Sequence, residues 1–243
     1  MHQSHYSTRR QFMALSSSTA LGLLLPVHPG FSQDTEKTKG KPAAALTPDQ
    51  ILQKLIEGNK RFTRGETTAL RRKPEDFAKL AEGQAPLAVI VGCADSRVSP
   101  EILFDQGIGD LFVVRVAGNV ISGAGATIKG SIEYAVAELG VSLVMVLGHT
   151  NCGAVKSAMK HIEAQDQLPG AINELVNTIK PAVLKVKNQQ GDFLQNAIKA
   201  NVEIGMNRLQ GLEPILATQV QKGTVKVVGG VYDLQTGTVA IVS

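Results

Sequence analysis

Two short polar clusters in the sequence combine residue types that can bind a transition metal. The first reads Cys93-Ala-Asp95-Ser-Arg97, and the second reads His149-Thr-Asn-Cys152. Two thiolates and one imidazole suit tetrahedral zinc with a fourth position left open, which is typical of a catalytic rather than a structural site. The sequence therefore predicts one zinc ion per chain, held by Cys93, His149 and Cys152.

Asp95 and Arg97 distinguish this pattern from an accidental cysteine–histidine pair. An arginine can hold a neighbouring carboxylate through two hydrogen bonds and keep it ionised. The alternative is an ion pair that only caps the end of a strand.

The cysteine count leaves two incompatible hypotheses. The chain has two cysteines, and both lie in these clusters. A disulfide, which exported proteins often carry, would consume both sulfurs that zinc requires. A redox protein with that disulfide would bind no metal and would leave His149, Asp95 and Arg97 unexplained.

Apolar segments of strand length precede both clusters. They are rich in Val and Ile and cover residues 87–92, 111–116, 143–148 and 224–229, with a helical pattern at 124–139. Continuous apolar strands that alternate with helices indicate a parallel sheet covered on both faces. Cys93 follows the first strand and His149 follows the third, so both belong at the carboxyl edge, where ligands gather in such sheets.

The remaining elements complete an α/β fold with a central, mostly parallel sheet flanked by helices. Thr47-Pro-Asp-Gln50 predicts the start of a helix that runs to about residue 62. Further helices are predicted at 74–81, 152–163, 170–188 and 192–210. Pro181 should kink or split the helix at 170–188. A hairpin over 225–242 adds a C-terminal antiparallel edge strand.

Composition narrows the class of protein. The 243 residues are 43% hydrophobic and 19% charged, which indicates a globular chain. The net charge is +4, and the only basic cluster, Arg71-Arg72-Lys73, lacks interleaved aromatic residues. We therefore expect no nucleic-acid partner.

The N-terminal segment resembles an export signal. Arg9 and Arg10 precede Phe12 and an apolar stretch too short for a permanent membrane span, and residues 1–33 contain no acidic residue. We expect residues 1–33 to be a twin-arginine type signal peptide, 34–46 a linker and 47–243 the folded domain. That route exports folded proteins, so zinc could be loaded beforehand. The periplasm is the expected destination, and a thylakoid lumen is the alternative.

The combined motifs resemble the signature of β-class carbonic anhydrases over most of residues 47–243. The segments 93–101, 114–119 and 227–233 match as well as the two metal clusters. The resemblance implies a lyase that hydrates carbon dioxide reversibly to bicarbonate and a proton, by attack of zinc-bound hydroxide. It also implies that Asp95 accepts a hydrogen bond from the zinc-bound water while Arg97 holds Asp95.

The resemblance assigns four further residues to the substrate pocket. Gln84 would bind substrate, and the Gly153 amide would lie near bicarbonate. Phe112 and Tyr134 would form an aromatic wall supplied by a partner subunit, which implies a dimer or tetramer. Without the resemblance, Phe112 and Tyr134 would be interpreted as core residues.

Ile90 marks a subtype within the family. Some bacterial members carry a tryptophan there as part of a noncatalytic bicarbonate site, so Ile90 together with Gln84 implies the open, plant-like type.

Two alternative functions are compatible with the same fold: a hydrolase of carbonyl sulfide or carbon disulfide, and a non-catalytic zinc-binding protein. His161, the remaining histidine of the predicted domain, is expected to be a surface residue.

Overall fold

The computed structural model describes residues 46–121 and 125–242. The predicted signal peptide (1–33) and nearly all of the predicted linker (34–46) lie outside these ranges. Within them, no helix is both long and apolar enough to cross a membrane.

One five-stranded sheet forms the centre of the fold, in the order β2-β1-β3-β4-β5. The first four strands are parallel, and β5 is antiparallel to β4, which confirms the predicted fold class. The strands are β1 (Ala88–Cys93), β2 (Leu111–Val116), β3 (Leu143–His149), β4 (Lys226–Tyr232) and β5 (Val239–Val242).

The two central strands carry the predicted metal ligands. Every residue of β1 and β3 is buried, as expected for strands with helices on both faces. Gly92 pairs with Leu147 in the parallel register between them. Cys93 and His149 therefore leave neighbouring strands at the same edge of the sheet.

Eight helices surround the sheet within the described ranges, and most begin and end within a few residues of their predicted positions. They are α1 (Pro48–Arg64), α2 (Phe77–Ala81), α3 (Pro100–Leu103), α4 (Gly125–Ala137), α5 (Gly153–Ala164), α6 (Ala171–Lys185), α7 (Phe193–Gln210) and α8 (Leu216–Gln221). The sequence did not predict α3 and α8, because four and six residues are too few to show helical periodicity.

Helix α1 begins as its sequence predicts. The Thr47 hydroxyl accepts a hydrogen bond from the Gln50 amide (3.3 Å), and the Gln50 side chain accepts one from the Thr47 amide (2.8 Å). The helix ends at Gly65, whose φ of 72° is the left-handed conformation that glycine adopts without strain.

Pro181 does not split its helix, because α6 continues through it, whereas the kink that was the other expectation stays a prediction. A proline inside a helix removes the hydrogen bond to the carbonyl four residues earlier, here that of Asn177. Both Pro181 and Asn177 are exposed, so water can satisfy this carbonyl.

Three groups of buried side chains stabilise the fold. Alternate residues of the strands point to opposite faces, so Val89 and Val91 pack in one group and Ile90 in another. The third group lies among α5, α6 and α7 and includes both cysteines. The metal-site candidates are thus part of a packed core.

The basic cluster at residues 71–73 makes tertiary contacts. Arg71 forms an ion pair with Asp110, and Arg72 donates a hydrogen bond to the Gln106 carbonyl (3.1 Å). These two arginines hold the turn that leads into β2.

Candidate metal centre

Three predicted ligands meet at the carboxyl edge of the sheet. Cys93 ends β1, His149 ends β3, and Cys152 directly precedes α5. Their potential ligand atoms all lie within 4.8 Å of one another, and all three residues are buried. In the ranges that the structure describes, this is the one such group of three or more His, Cys, Asp or Glu residues.

His149 is oriented to bind a metal through Nε2. Its Nδ1 lies 2.9 Å from the Thr150 carbonyl, which can only accept, so Nδ1 carries the proton. Nε2 then has a free lone pair, and it is buried with no hydrogen-bond partner among the described residues. Buried polar atoms without partners are rare. An imidazole held through Nδ1 is the usual arrangement of a metal ligand, so the site fits zinc.

A hydrogen bond joins the side chains of Cys93 and Cys152. The hydrogen bond with Cys152 is the main reason that the pKa of Cys93 falls to about 4, even though burial opposes this change. The same hydrogen bond, together with burial, raises the pKa of Cys152 above its usual range. Both cysteines are free rather than disulfide-bonded. Without metal the pair holds one proton, which a divalent cation would displace.

Asp95 lies beside this ligand set and is fixed by Arg97. Arg97 Nε donates to Oδ1 (2.9 Å), Arg97 Nη2 donates to Oδ2 (2.8 Å), and the Arg97 amide also donates to Oδ1 (3.0 Å). These bonds hold the pKa of Asp95 well below its usual range, so the carboxylate is ionised. Its Oδ2 is 3.7 Å from His149 Nε2.

Arg115 holds the segment that joins Cys93 to Asp95. It lies on β2 opposite Gly92, and its Nε donates to the Cys93 carbonyl (3.0 Å). Its Nη2 donates to the Asp95 carbonyl (2.6 Å). Sequence reasoning did not single out Arg115, although it lies in the matching segment 114–119.

Gly118 contacts the Cys93 thiol directly. Its amide donates to Cys93 Sγ at 3.2 Å, and its φ of 69° lies in the left-handed region. A Cβ atom there would lie 2.8 Å from Cδ1 of Ile179 and 3.1 Å from Cβ of Ala154. Position 118 therefore requires glycine, because of its left-handed backbone conformation and because a Cβ atom has no room there. The spacing of the sequence motifs did not indicate this requirement.

The predicted substrate residues lie in different places. Gly153 is exposed and follows Cys152 as the first residue of α5, and Gln84 is exposed in the segment before β1. Phe112 on β2 and Tyr134 on α4 pack against each other, with ring centroids 6.3 Å apart. No side-chain hydrogen bond within the described chain links these four residues to the metal ligands, so their substrate role stays a prediction.

His161 belongs to a separate cavity of about 570 Å³ between α5 and α6. Its Nδ1 lies 2.7 Å from Asp166 Oδ1, and its side chain is 15% exposed, so it is more buried than the sequence suggested. His161 lies nine positions after Cys152, or roughly 13 Å along α5. It therefore lies outside the metal centre.

Comparison with known proteins identifies similar chains. Residues 88–239 match the family model described as carbonic anhydrase. Carbonic anhydrase 2 of Mycobacterium tuberculosis is 41% identical over 187 residues, which are 75% of this chain and 87% of that protein.

Two solved structures share the fold. The Coccomyxa β-carbonic anhydrase, solved with acetazolamide, has a TM-score of 0.61 and 29% identity over 79% of this chain and 86% of its own. A β-carbonic anhydrase of Sordaria macrospora, described as tetrameric, has a TM-score of 0.63 and 24% identity, with coverages of 79% and 96%. At that identity the second likeness concerns the fold alone.

Proposed function

The chain belongs to the β-class carbonic anhydrase family, and from this premise we propose that it hydrates carbon dioxide reversibly to bicarbonate and a proton, with zinc held by Cys93, His149 and Cys152. One observation carries the proposal. The buried His149 Nε2 has no hydrogen-bond partner in the described chain, and a ring nitrogen of His149 lies within 4.8 Å of both sulfurs.

Asp95 and Arg97, which lie beside the ligands, determine the orientation of the attacking oxygen in this proposal. Zinc held by these ligands would supply Lewis-acid chemistry, which lowers the pKa of a bound water to about 7 and makes hydroxide available at neutral pH. Asp95 would accept the remaining hydrogen of that hydroxide in a hydrogen bond and so direct a lone pair of its oxygen toward carbon dioxide. Arg97 keeps Asp95 ionised and fixed, so the carboxylate accepts this bond without donating one.

Gln84, Phe112, Tyr134 and Gly153 form the substrate pocket in this proposal, which requires self-association. Tyr134 is 47% exposed although it packs on Phe112, and this is consistent with an aromatic surface that a partner subunit covers. The active unit is thus a dimer or a higher oligomer. Size-exclusion chromatography with light scattering tests this, and an active monomer would contradict it.

We also propose the open, plant-like subtype and export to the periplasm. Ile90 is fully buried in β1, and its side chain packs in the same core group as Leu55 and Phe104, so an aliphatic core residue occupies the position that some members fill with tryptophan. Arg9 and Arg10 are the paired arginines of the predicted signal peptide, residues 1–33. Replacing both with lysine should therefore retain the protein in the cytoplasm of an expression host. Export that is unchanged in this variant would contradict the twin-arginine route.

Stopped-flow measurement of carbon dioxide hydration tests the activity directly, with the zinc content of the purified chain determined in parallel. We expect about one zinc per chain and an activity that Asp95→Asn severely reduces. Carbonyl sulfide and carbon disulfide are assayed beside it, since their hydrolysis needs a similar site. A zinc-loaded chain that is inactive on carbon dioxide at pH 8.5 would favour these substrates or a non-catalytic protein.

A further inference from the structure

A buried asparagine of α7 reaches the loop that contacts Cys93. Asn201 Nδ2 donates to the Gly118 carbonyl at 2.8 Å, across 83 residues of sequence. Asn201 is 7% exposed. Among the described residues, the Gly118 carbonyl is the one acceptor to which the Asn201 side chain donates.

Asn201 lies on a helix with many buried apolar residues. Its neighbours along α7 include Ile198, Ala200 and Val202, all of which are buried. An amide placed among such side chains costs free energy unless it is hydrogen-bonded, whereas leucine would fill similar space without that cost. The presence of an amide here therefore points to the group that it contacts.

Gly118 is held from two directions. The side chains of Ile179 and Ala154 leave no room for a Cβ atom on one side, and Asn201 binds its carbonyl. Its amide then points at Cys93 Sγ. A change in the position of Gly118 would lengthen this N–H to sulfur bond, because the same residue carries both groups.

We propose that Asn201 is a positioning residue of the metal centre, which holds Gly118 so that its amide stabilises the Cys93 thiolate as a zinc ligand. The inference rests on the proposed function, because it requires zinc at Cys93. Partners of metal ligands typically change metal affinity or activity about 10–100-fold when they are removed. Asn201 acts one step further out, through the backbone of Gly118.

The test compares Asn201→Leu with Asn59→Leu in the full chain. Asn59 is a matched control, because it is also buried and donates Nδ2 to backbone carbonyls, those of Leu103 (3.1 Å) and Gly237 (2.9 Å). Both variants lose hydrogen bonds of the same kind, so both should unfold at lower temperature. Only Asn201→Leu should release zinc faster to an excess of chelator, by about 10-fold or more.

Cobalt(II) substitution gives a second readout that stability does not affect. The thiolate-to-cobalt charge-transfer band should shift in Asn201→Leu and remain unchanged in Asn59→Leu. Asn201→Ser, whose hydroxyl is too short to reach Gly118, replaces Asn201→Leu if the latter does not fold. Zinc release and a cobalt spectrum that match wild type would overturn the inference and leave the proposed function intact. A wild-type chain that binds no zinc would overturn the proposed function instead.

Discussion

Asp95 and His149 face each other across the metal centre, with 3.7 Å between Asp95 Oδ2 and His149 Nε2. The two residues come from different strands, β1 with its following loop and β3. Arg97 keeps the carboxylate ionised, and the contact of Nδ1 with the Thr150 carbonyl leaves Nε2 as the ring nitrogen that faces it. A negative oxygen therefore lies beside the nitrogen that would bind the metal.

Replacing Asp95 with asparagine should reduce kcat for carbon dioxide hydration by about 100-fold or more, because the hydrogen-bond acceptor that orients the attacking oxygen is lost. Zinc content should stay the same, because Asp95 is not one of the three ligands. Stopped-flow kinetics and metal analysis check this. Asp49→Asn, which breaks an ion pair with Lys226 elsewhere, is the control. Equal kcat values for Asp95→Asn and wild type would exclude a role for Asp95.

Replacing Arg115 with alanine should lower both kcat and the free energy of unfolding. The change removes the two hydrogen bonds that hold the Cys93 and Asp95 carbonyls, and each is worth about 1–2 kcal/mol. Arg115→Lys should recover little, because an ammonium group cannot reproduce the forked geometry. Arg72→Ala, which loses one bond to the Gln106 carbonyl, should leave kcat unchanged. Full activity in Arg115→Ala would contradict this prediction.

The stability of the metal-free chain should fall in acid partly because of Asp105. Burial raises the pKa of this carboxyl, but hydrogen bonds from Arg61, Thr68 and Ala69 lower it more, so the net pKa lies below its usual value. A group of this kind contributes its full stabilisation above its unfolded pKa of about 3.9, and loses it as the pH falls through the folded pKa.

Asp105→Asn measures this contribution. The variant should be less stable than wild type at pH 7, by about 1.5–3 kcal/mol, since the buried carboxylate of Asp105 is replaced by a neutral amide beside the partly exposed Arg61. The difference should shrink as the pH falls below 4 and through the folded pKa of Asp105, where this carboxyl loses its charge in wild type as well. Urea unfolding at pH 7 and below pH 4 provides the measurement. A difference that does not change with pH would show that the charge of Asp105 contributes nothing.

Removing zinc with a chelator should lower Tm, and adding zinc should restore it. Zinc binds the assembled ligand set and not the unfolded chain, so it stabilises by about 2.7 kcal/mol at a free concentration 100 times Kd. Cys152→Ser should lose this dependence, because one of its three ligands is missing. Thermal unfolding at several zinc concentrations checks the prediction, and an equal zinc effect in Cys152→Ser would place the metal elsewhere.

The sheet and the metal ligands could be predicted because their signals are local. Buried strands β1 and β3 read as continuous apolar segments, and the ligand types follow each segment directly. Parallel strands end at the same edge, so the meeting of Cys93 and His149 followed from the strand assignment. The pairing of Asp95 with Arg97 was accessible for the same reason, since only Ser96 separates them.

Arg115, Gly118 and Asn201 depend on contacts that no local pattern encodes. Gly118 bonds to a sulfur 25 residues away, and Asn201 reaches Gly118 across 83 residues. Each side chain taken alone resembles an ordinary strand arginine, a loop glycine or a polar residue of a helix. The role of Arg115 arises when β2 pairs with β1. The roles of Gly118 and Asn201 arise when helices α5 to α7 pack against the end of the sheet.

The atoms that can bind zinc, the strands that carry them and the class of the fold can thus be inferred from the amino-acid sequence alone. Residue type and short-range periodicity specify these properties. The tertiary structure decided the orientation of His149, the hydrogen bonds that hold Cys93 and Asp95, and the close packing around Gly118. Hydrogen bonds require their donors and acceptors to meet within a few tenths of an ångström, and only the packed chain sets distances on that scale.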